Sequence, residues 1–179
     1  MMQSLFLLTE LSDQSFHSDA LPPDVTGFQV RKSARGILMD KDKIALINIT
    51  KKNYHKLPGG GIEGNETPEE GFIREIKEET GADCEILDEA GITLEHRAQH
   101  KLLQISYIFF SKVVRIPGGV RFEKEEIEEG ANLVWTDPGQ IKNIFDHNRP
   151  SEYEDHFITK RDWEILKYYQ EKISNYAEI

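Results

Sequence analysis

Apolar residues recur along the chain with two different periods, and the period separates predicted strands from predicted helices. Alternating or continuous apolar runs predict strands at 28–39, 44–49, 54–57, 85–96, 101–115 and 132–136. The polar turn at 40–43 joins the first two strands as a hairpin. Helical spacing and helix-start residues predict helices at about 68–80, 137–145 and 155–176. This order of elements predicts an α/β fold in mixed layers.

The helix at 68–80 has the clearest local signals. Thr67 is a good N-cap, Pro68 is tolerated at the first helical position, and Glu70 completes a capping box. Gly81 suits the left-handed residue that follows a last turn. The apolar residues of this helix fall on one arc and are predicted to face a core: Phe72, Ile73 and Ile76.

A second arc of the same helix carries Glu75, Glu78 and Glu79, at spacings of i, i+3 and i+4. Residues at these spacings lie close together on one face, so the three carboxylates repel each other unless a cation lies between them. A solvated acidic face is the common fate of such a run. However, residues 57–61 place three glycines directly before the helix, and a loop of this kind can turn sharply and expose backbone carbonyls. Hard divalent cations prefer such oxygen ligands, and we therefore favour a metal site.

The spacing of this stretch resembles the Nudix box. Gly60 is followed by Glu66 and then by the run REIKEETGA at 74–82, so every defining position of the motif is matched. The resemblance to the MutT-like Nudix hydrolases implies an α/β/α sandwich with a mixed β-sheet. It also implies a hydrolase that depends on Mg²⁺, or on Mn²⁺, and cleaves a diphosphate linkage in a nucleoside-diphosphate-type substrate.

The resemblance also implies roles for individual residues. The metal ligands would be the Gly60 carbonyl with Glu75, Glu78 and Glu79, while Arg74 and Glu66 would brace the site. Glu75 and Glu78 are the catalytic residues expected within the box. A further base is often supplied from outside it, and the candidates lie in one acidic segment: Glu123, Glu125, Glu126, Glu128 and Glu129. We favour Glu126 among them, with Glu75 as the alternative base.

Substrate phosphates need cationic partners, and the chain offers three candidates near the predicted loop. Arg31 and Arg35 are an even number of residues apart on the first predicted strand and therefore project from the same face. Lys56 directly precedes the glycine-rich loop. The guanidinium fork matches phosphate geometry better than an ammonium does. Phe109 and Trp135 can stack on a base, but strand aromatics of this kind are predicted to belong to the core.

Composition narrows the class of protein. The 179 residues suffice for one domain with a substantial core, and we expect an extension at 1–27 that docks on a single Nudix domain at 28–179. The net charge of −10 makes tight nucleic-acid binding unfavourable. The apolar start of the chain lacks basic residues and is followed by Glu10 and Asp13, so neither a signal peptide nor a membrane span is predicted. We therefore expect a cytoplasmic protein, and a homodimer is compatible with the family resemblance.

The substrate is left open by these patterns. The signatures that mark hydrolases of ADP-ribose, dinucleoside polyphosphates and NADH within the family do not follow this box. The leading hypothesis is hydrolysis of a nucleoside triphosphate, or a modified one, to the monophosphate and pyrophosphate. The alternatives are hydrolysis of ADP-ribose or a nucleotide sugar and, in a different class, a non-catalytic domain that senses a nucleotide.

Overall fold

The computed structural model describes residues 6–177, with side chains up to residue 172. The first five residues of the predicted N-terminal extension lie outside this range. The strands are β1 (Leu7–Leu11), β2 (Gln29–Asp40), β3 (Lys43–Ile49), β4 (Tyr54–Lys56), β5 (Gly59–Gly61), β6 (Asp83–Arg97), β7 (Leu102–Arg115) and β8 (Ala131–Thr136). The helices are α1 (Pro68–Thr80), α2 (Lys124–Glu129), α3 (Ile141–His147) and α4 (Tyr153–Ala177). The six predicted strands and three predicted helices occur in the predicted order, with ends that move by a few residues, and the structure adds β1, β5 and α2.

The strands form one mixed sheet in the order β1-β6-β7-β2-β3-β4, with β5 paired to β2 and β8 to β3. At its centre β2 and β7 run parallel, with Arg31 opposite Gln104 and Ser33 opposite Ser106. The pairs β6–β7 and β2–β3 are antiparallel. The other side of β2 pairs with β5, which places Arg35 opposite Gly59. The long central strand therefore carries the predicted arginines directly beside the glycine-rich loop.

Helices cover both faces of the sheet, as the predicted sandwich requires. On one face α1 packs through Phe72 and Ile76 against Ala34, Leu38 and Phe109. On the other face α3 and α4 bury a second apolar cluster, whose members include Ile37, Ile108, Phe110, Ile165 and Leu166. The layers hold α1 and its carboxylates in a fixed position against β2 and β5.

The prediction that Ile73 faces the core is wrong. Its side chain is 40% exposed, while Phe72 and Ile76 are fully buried. The surface of α1 that packs on the sheet is narrower than the apolar arc. It includes Phe72 and Ile76, whereas Ile73 lies at the edge of the arc and stays outside the core. Phe109 stacks on Phe72 with ring centroids 5.1 Å apart, which confirms it as a core residue.

The N-terminal apolar segment contains a strand at the sheet edge. Strand β1 runs parallel to β6, with Leu11 opposite Glu95. The Phe6 carbonyl packs so closely on Gly91 that a side chain on Gly91 would overlap it. Among residues 6–177, no helix is both long and apolar enough to cross a membrane.

Candidate active site

The start of α1 is held by the predicted capping box. The Glu70 N–H donates to Thr67 Oγ1 at 3.2 Å, and the Thr67 N–H donates to Glu70 Oε2 at 2.8 Å. The helix ends at Gly81, which has a φ of +71° and so occupies the predicted left-handed position. The backbone of α1 is thereby fixed at both ends, and the positions of its carboxylates follow.

Arg74 joins the box loop to this helix. Its Nε donates to Glu66 Oε1 at 2.7 Å and its Nη2 donates to the Gly61 carbonyl at 2.8 Å. Its Nη1 donates to Glu75 at 2.9 Å and to Glu78 at 3.1 Å. The hydrogen bond from Arg74 holds the pKa of Glu66 below its ordinary value. One guanidinium therefore connects the loop with two of the three carboxylates, which is the geometry expected of a brace.

Gly60 lies against the carboxylate of Glu75. A β-carbon at residue 60 would be 2.4 Å from Glu75 Oε1, so a larger residue there would displace the carboxylate. Burial raises the pKa of Glu75 above its ordinary value, although Arg74 opposes the change. The same helix tolerates the close loop because residue 71 is glycine, whose missing side chain leaves space for Ile62 and Glu66.

Glu79 is the most buried of the three carboxylates, at 2% exposure. Its Oε2 accepts the Gly59 N–H at 2.6 Å, and its Oε1 lies 3.1 Å from Lys56 Nζ. Burial raises the pKa of Glu79 to about 8. The same ammonium donates to Glu126 Oε1 at 2.8 Å. Although burial acts in the opposite direction, Lys56 lowers the pKa of Glu126, which is therefore an ionised carboxylate at neutral pH.

The donor set suits a hard divalent cation, since the predicted ligands are all oxygens. In the part of the chain that the structure describes, no three acidic, histidine or cysteine groups are gathered as an ion-binding cluster. Two basic side chains of the protein lie between the carboxylates. Arg74 forms ion pairs with Glu75 and Glu78. Lys56 forms ion pairs with Glu79 and Glu126. The close contact of Glu75 with Gly60 places one of these carboxylates against the glycine-rich loop.

A cavity of about 210 Å³ opens beside the glycine-rich loop. Six of the predicted site residues line it: Arg31, Arg35, Lys56, Gly60, Glu75 and Glu126. Glu78 lines a separate groove with Arg115 and Arg121. Glu79 lies beneath the loop, bonded to its backbone. Of the other proposed bases, Glu128 pairs with Lys124 at the surface, while Glu123, Glu125 and Glu129 are at the cavity wall.

Three further residues line the cavity and were not predicted from the sequence: Arg97, Gln104 and Arg161. All three are buried, with exposures of 5%, 1% and 1%. A signal was present in β6, where Thr93, Glu95 and Arg97 are two residues apart and therefore share one face of the strand. Their meeting point depends on the pairing of β6, β7 and β2 and on the packing of α4, which local patterns do not reveal.

Comparison with known proteins identifies the family. The family model described as NUDIX domain matches residues 23–157. The chain belongs to the Nudix family. It is 31% identical over 87 residues to an 8-oxo-dGTP diphosphatase of Proteus vulgaris, covering 44% of this chain and 74% of the relative. It is 44% identical over 54 residues to an RNA pyrophosphohydrolase of Zymomonas mobilis, covering 28% of this chain and 35% of that relative.

A solved Nudix hydrolase from Nitrosomonas europaea has the same fold. The two superpose with a TM-score of 0.55 at 18% identity, over 76% of this chain and 92% of that structure. Membership of the Nudix family makes this protein a hydrolase of pyrophosphate bonds in phosphorus-containing substrates.

Proposed function

We propose that this Nudix hydrolase is a Mg²⁺-dependent pyrophosphohydrolase that converts a nucleoside triphosphate, or a modified one, to the monophosphate and pyrophosphate. Mn²⁺ is the expected substitute metal. The observation that carries the proposal is the network around Arg74, which holds Glu75 and Glu78 beside the loop carbonyls. The relative named as an 8-oxo-dGTP diphosphatase supports a triphosphate as the first substrate to test.

The roles of the carboxylates follow from their surroundings. The Gly60 carbonyl with Glu75, Glu78 and Glu79 would hold the cation, and Arg74 would keep two of these side chains in place. When bound, the cation lowers the pKa of a water and neutralises charge on the phosphate oxygens. Because Glu79 is buried against the Gly59 N–H, it has the least freedom to move and anchors the site.

Hydrolysis requires a group that accepts a proton from the attacking water. As the water oxygen bonds to one phosphorus, the bridging P–O bond breaks and pyrophosphate leaves. Glu126 is ionised and lines the cavity, so it is the first candidate for the proton acceptor. Glu75, which also lines the cavity and lies against Gly60, is the second. A substitution of each to Gln, compared by pH–rate profile, distinguishes them.

The substrate phosphates have two arginines available at different depths. Arg31 is exposed at the cavity rim, and its Nη2 would lie 3.4 Å from a β-carbon at residue 61. Arg35 lies deeper, beside Gly59. Lys56 is already paired with Glu79 and Glu126, so its first role is to balance these carboxylates rather than to bind phosphate alone.

A substrate panel tests the proposal. The purified protein with Mg²⁺ or Mn²⁺ is assayed against ordinary and oxidised nucleoside triphosphates, ADP-ribose, nucleotide sugars and dinucleoside polyphosphates. We expect release of pyrophosphate from at least one triphosphate, and we expect Glu78→Gln to abolish it. Glu69→Gln is the matched control, because it changes an exposed glutamate in the first turn of the same helix. Turnover of ADP-ribose or a nucleotide sugar alone would replace the triphosphate hypothesis, and metal-dependent binding with no turnover would indicate a sensor.

A further inference from the structure

The face of the sheet beneath α4 changes from apolar to polar close to the active site. Rows of side chains across β2, β7 and β6 align Ser33 with Ser106 and Thr93, and the next row pairs Gln104 with Glu95. These five residues are buried at 1% exposure or less. A buried polar group lowers stability unless it is hydrogen-bonded. Five of them in adjacent rows therefore form a polar site rather than an ordinary core.

Two of the three buried arginines of this site donate hydrogen bonds to its carboxylates, and the third does not. Arg161 donates to Glu95 Oε2 at 3.1 Å and to Asp162 Oδ1 at 2.8 Å, and Arg97 donates to Glu95 Oε1 at 3.0 Å. The remaining guanidinium, Arg35, donates to the neutral Ser33 hydroxyl at 3.4 Å. Among the described residues, Arg35 therefore has no hydrogen-bonded carboxylate, although Asp162, Glu95 and Glu79 lie close enough to act on its charge.

Several donors of these side chains also lack partners. Arg35 Nε, Arg97 Nε and Arg161 Nη2 are buried donors with no hydrogen-bond partner among the described residues, and Gln104 Oε1 is a buried acceptor without one, which an N–H or O–H group of a ligand would satisfy. All four residues line the cavity beside the glycine-rich loop. Unsatisfied buried groups in a native protein require an explanation, and a bound polar ligand is the one that this shared cavity offers. We name these four residues the arginine floor.

The floor of the cavity is suited to an anion rather than to a base, while five glutamates line its wall: Glu75, Glu123, Glu125, Glu126 and Glu129. Its described lining contains one apolar side chain, Ile158, and no aromatic ring on which a base could stack. The arginine floor presents planar donors that match the oxygens of phosphate. It is continuous with the catalytic loop, since Arg35 is opposite Gly59 across β2 and β5 and leaves no room for a side chain at Gly59.

We propose that the arginine floor binds a phosphoryl group of the substrate that lies beyond the linkage being cleaved. The inference rests on the proposed function, because it places the cleaved linkage at Gly60 and the carboxylates of α1. The phosphoryl group is either the terminal phosphate of a triphosphate or the phosphate of a phosphorylated sugar. Arg35 is the residue whose charge the bound group balances.

The first experiment measures binding without catalysis. Inorganic pyrophosphate is titrated into the metal-free protein in the presence of chelator, and affinity is measured by calorimetry. We expect Arg35→Gln to weaken binding about tenfold or more, since a charge-assisted hydrogen bond and its ion pair are lost. Lys112→Gln is the matched control: it removes one positive charge from β7 at the surface, where Lys112 pairs with Glu85. The control should bind as wild type does.

Stability separates this role from a structural one. Because Arg35 has no hydrogen-bonded carboxylate and its burial is itself costly, Arg35→Gln should melt close to the wild-type temperature. A second measurement uses the wild-type protein alone. In NMR spectra, the Nε–H resonances of Arg35 and Arg97 should shift on titration with pyrophosphate. Equal affinity in wild type and Arg35→Gln, or unmoved arginine resonances, would overturn the proposal. A lowered melting temperature with unchanged affinity would do the same.

The hydrolytic panel separates the two sources of the phosphoryl group. If the floor holds a terminal phosphate, Arg35→Gln lowers kcat/KM for triphosphates about tenfold more than for ADP-ribose, which has no terminal phosphate. If it holds a sugar phosphate, the larger loss is on nucleoside diphosphates linked to a phosphorylated sugar, which are added to the panel for this comparison. Absence of all turnover would refute the proposed function, while the pyrophosphate titration would still decide whether the arginine floor binds an anion.

Discussion

Replacing Gly60 by alanine tests the position of the Glu75 carboxylate with a single methyl group. Gly60 does not have a positive φ, so alanine can adopt its backbone conformation without strain. The added β-carbon would be 2.4 Å from Glu75 Oε1 and 2.6 Å from its Cδ. These atoms are the end of a flexible side chain on a half-buried residue. The methyl group should therefore move the carboxylate and leave the fold intact.

The size of the effect follows from the displacement. Ordinary contact with a β-carbon begins at 3.4 Å, so Oε1 must retreat by 3.4 − 2.4 = 1.0 Å. A misplacement of about 1 Å at a catalytic group costs about 100-fold in rate, or roughly 2.7 kcal/mol of transition-state stabilisation. The same movement withdraws Oε1 from Arg74 Nη1, which donates to it at 2.9 Å. We expect kcat/KM to fall about 100-fold with little change in melting temperature.

The assay measures pyrophosphate release from the triphosphate that the panel identifies, together with thermal unfolding of each variant. Gly139→Ala is the matched control, because a β-carbon there meets no atom within 4 Å. It should retain wild-type activity. If Gly60→Ala kept activity within about threefold of the control, the placement of Glu75 against the loop would not matter for the reaction, and the catalytic role assigned here would be refuted.

Three other changes follow from the same geometry. Arg74→Lys should lower activity about 100-fold, since one ammonium cannot replace the fork that joins Glu66, Gly61 and the carboxylates; steady-state kinetics at saturating Mg²⁺ checks this. Gly36→Ala should prevent folding, because its β-carbon would be 1.8 Å from the Phe109 carbonyl; circular dichroism would show the loss, and a native melt would contradict it. Without metal, the folded protein retains the Glu79 proton more tightly than the unfolded chain, because burial raises the pKa of Glu79 to about 8. Stability should therefore fall as pH rises from about 4.5 towards 8, Mg²⁺ should restore it, and the melting temperature of Glu79→Gln should fall less than that of wild type across that range in chelator.

The local part of the candidate site could be predicted because its interactions are short in sequence. The capping box links residues three positions apart, and Arg74 reaches Glu66 and Glu78 within eight. Backbone hydrogen bonds and side-chain offsets of a helix fix such contacts whatever surrounds them. The exposure of Ile73 could not be predicted from local spacing, because it depends on where the sheet ends beneath α1.

The positive charges beside the three glutamates show the same difference between local contacts and contacts that depend on tertiary packing. Their spacing on α1 required a positive charge, and Arg74 was expected to supply only a brace. The structure adds Lys56, which reaches Glu79 and also Glu126, 70 residues further along the chain. That second contact depends on how α2 packs against β8 and residues 50–52, and no spacing in the sequence encodes it.

The sequence by itself determined α1, its caps, the glycine-rich loop and the row of carboxylates, because each is set by neighbours along the chain. The tertiary structure alone decided where the arginine floor forms. Arg31 meets Gln104 through a parallel pairing of strands distant in sequence, and Arg161 arrives from the last helix. The register of parallel strands and the packing of the last helix depend on burial of the whole core. Residues that line one cavity therefore share no local sequence pattern from which their proximity could be predicted.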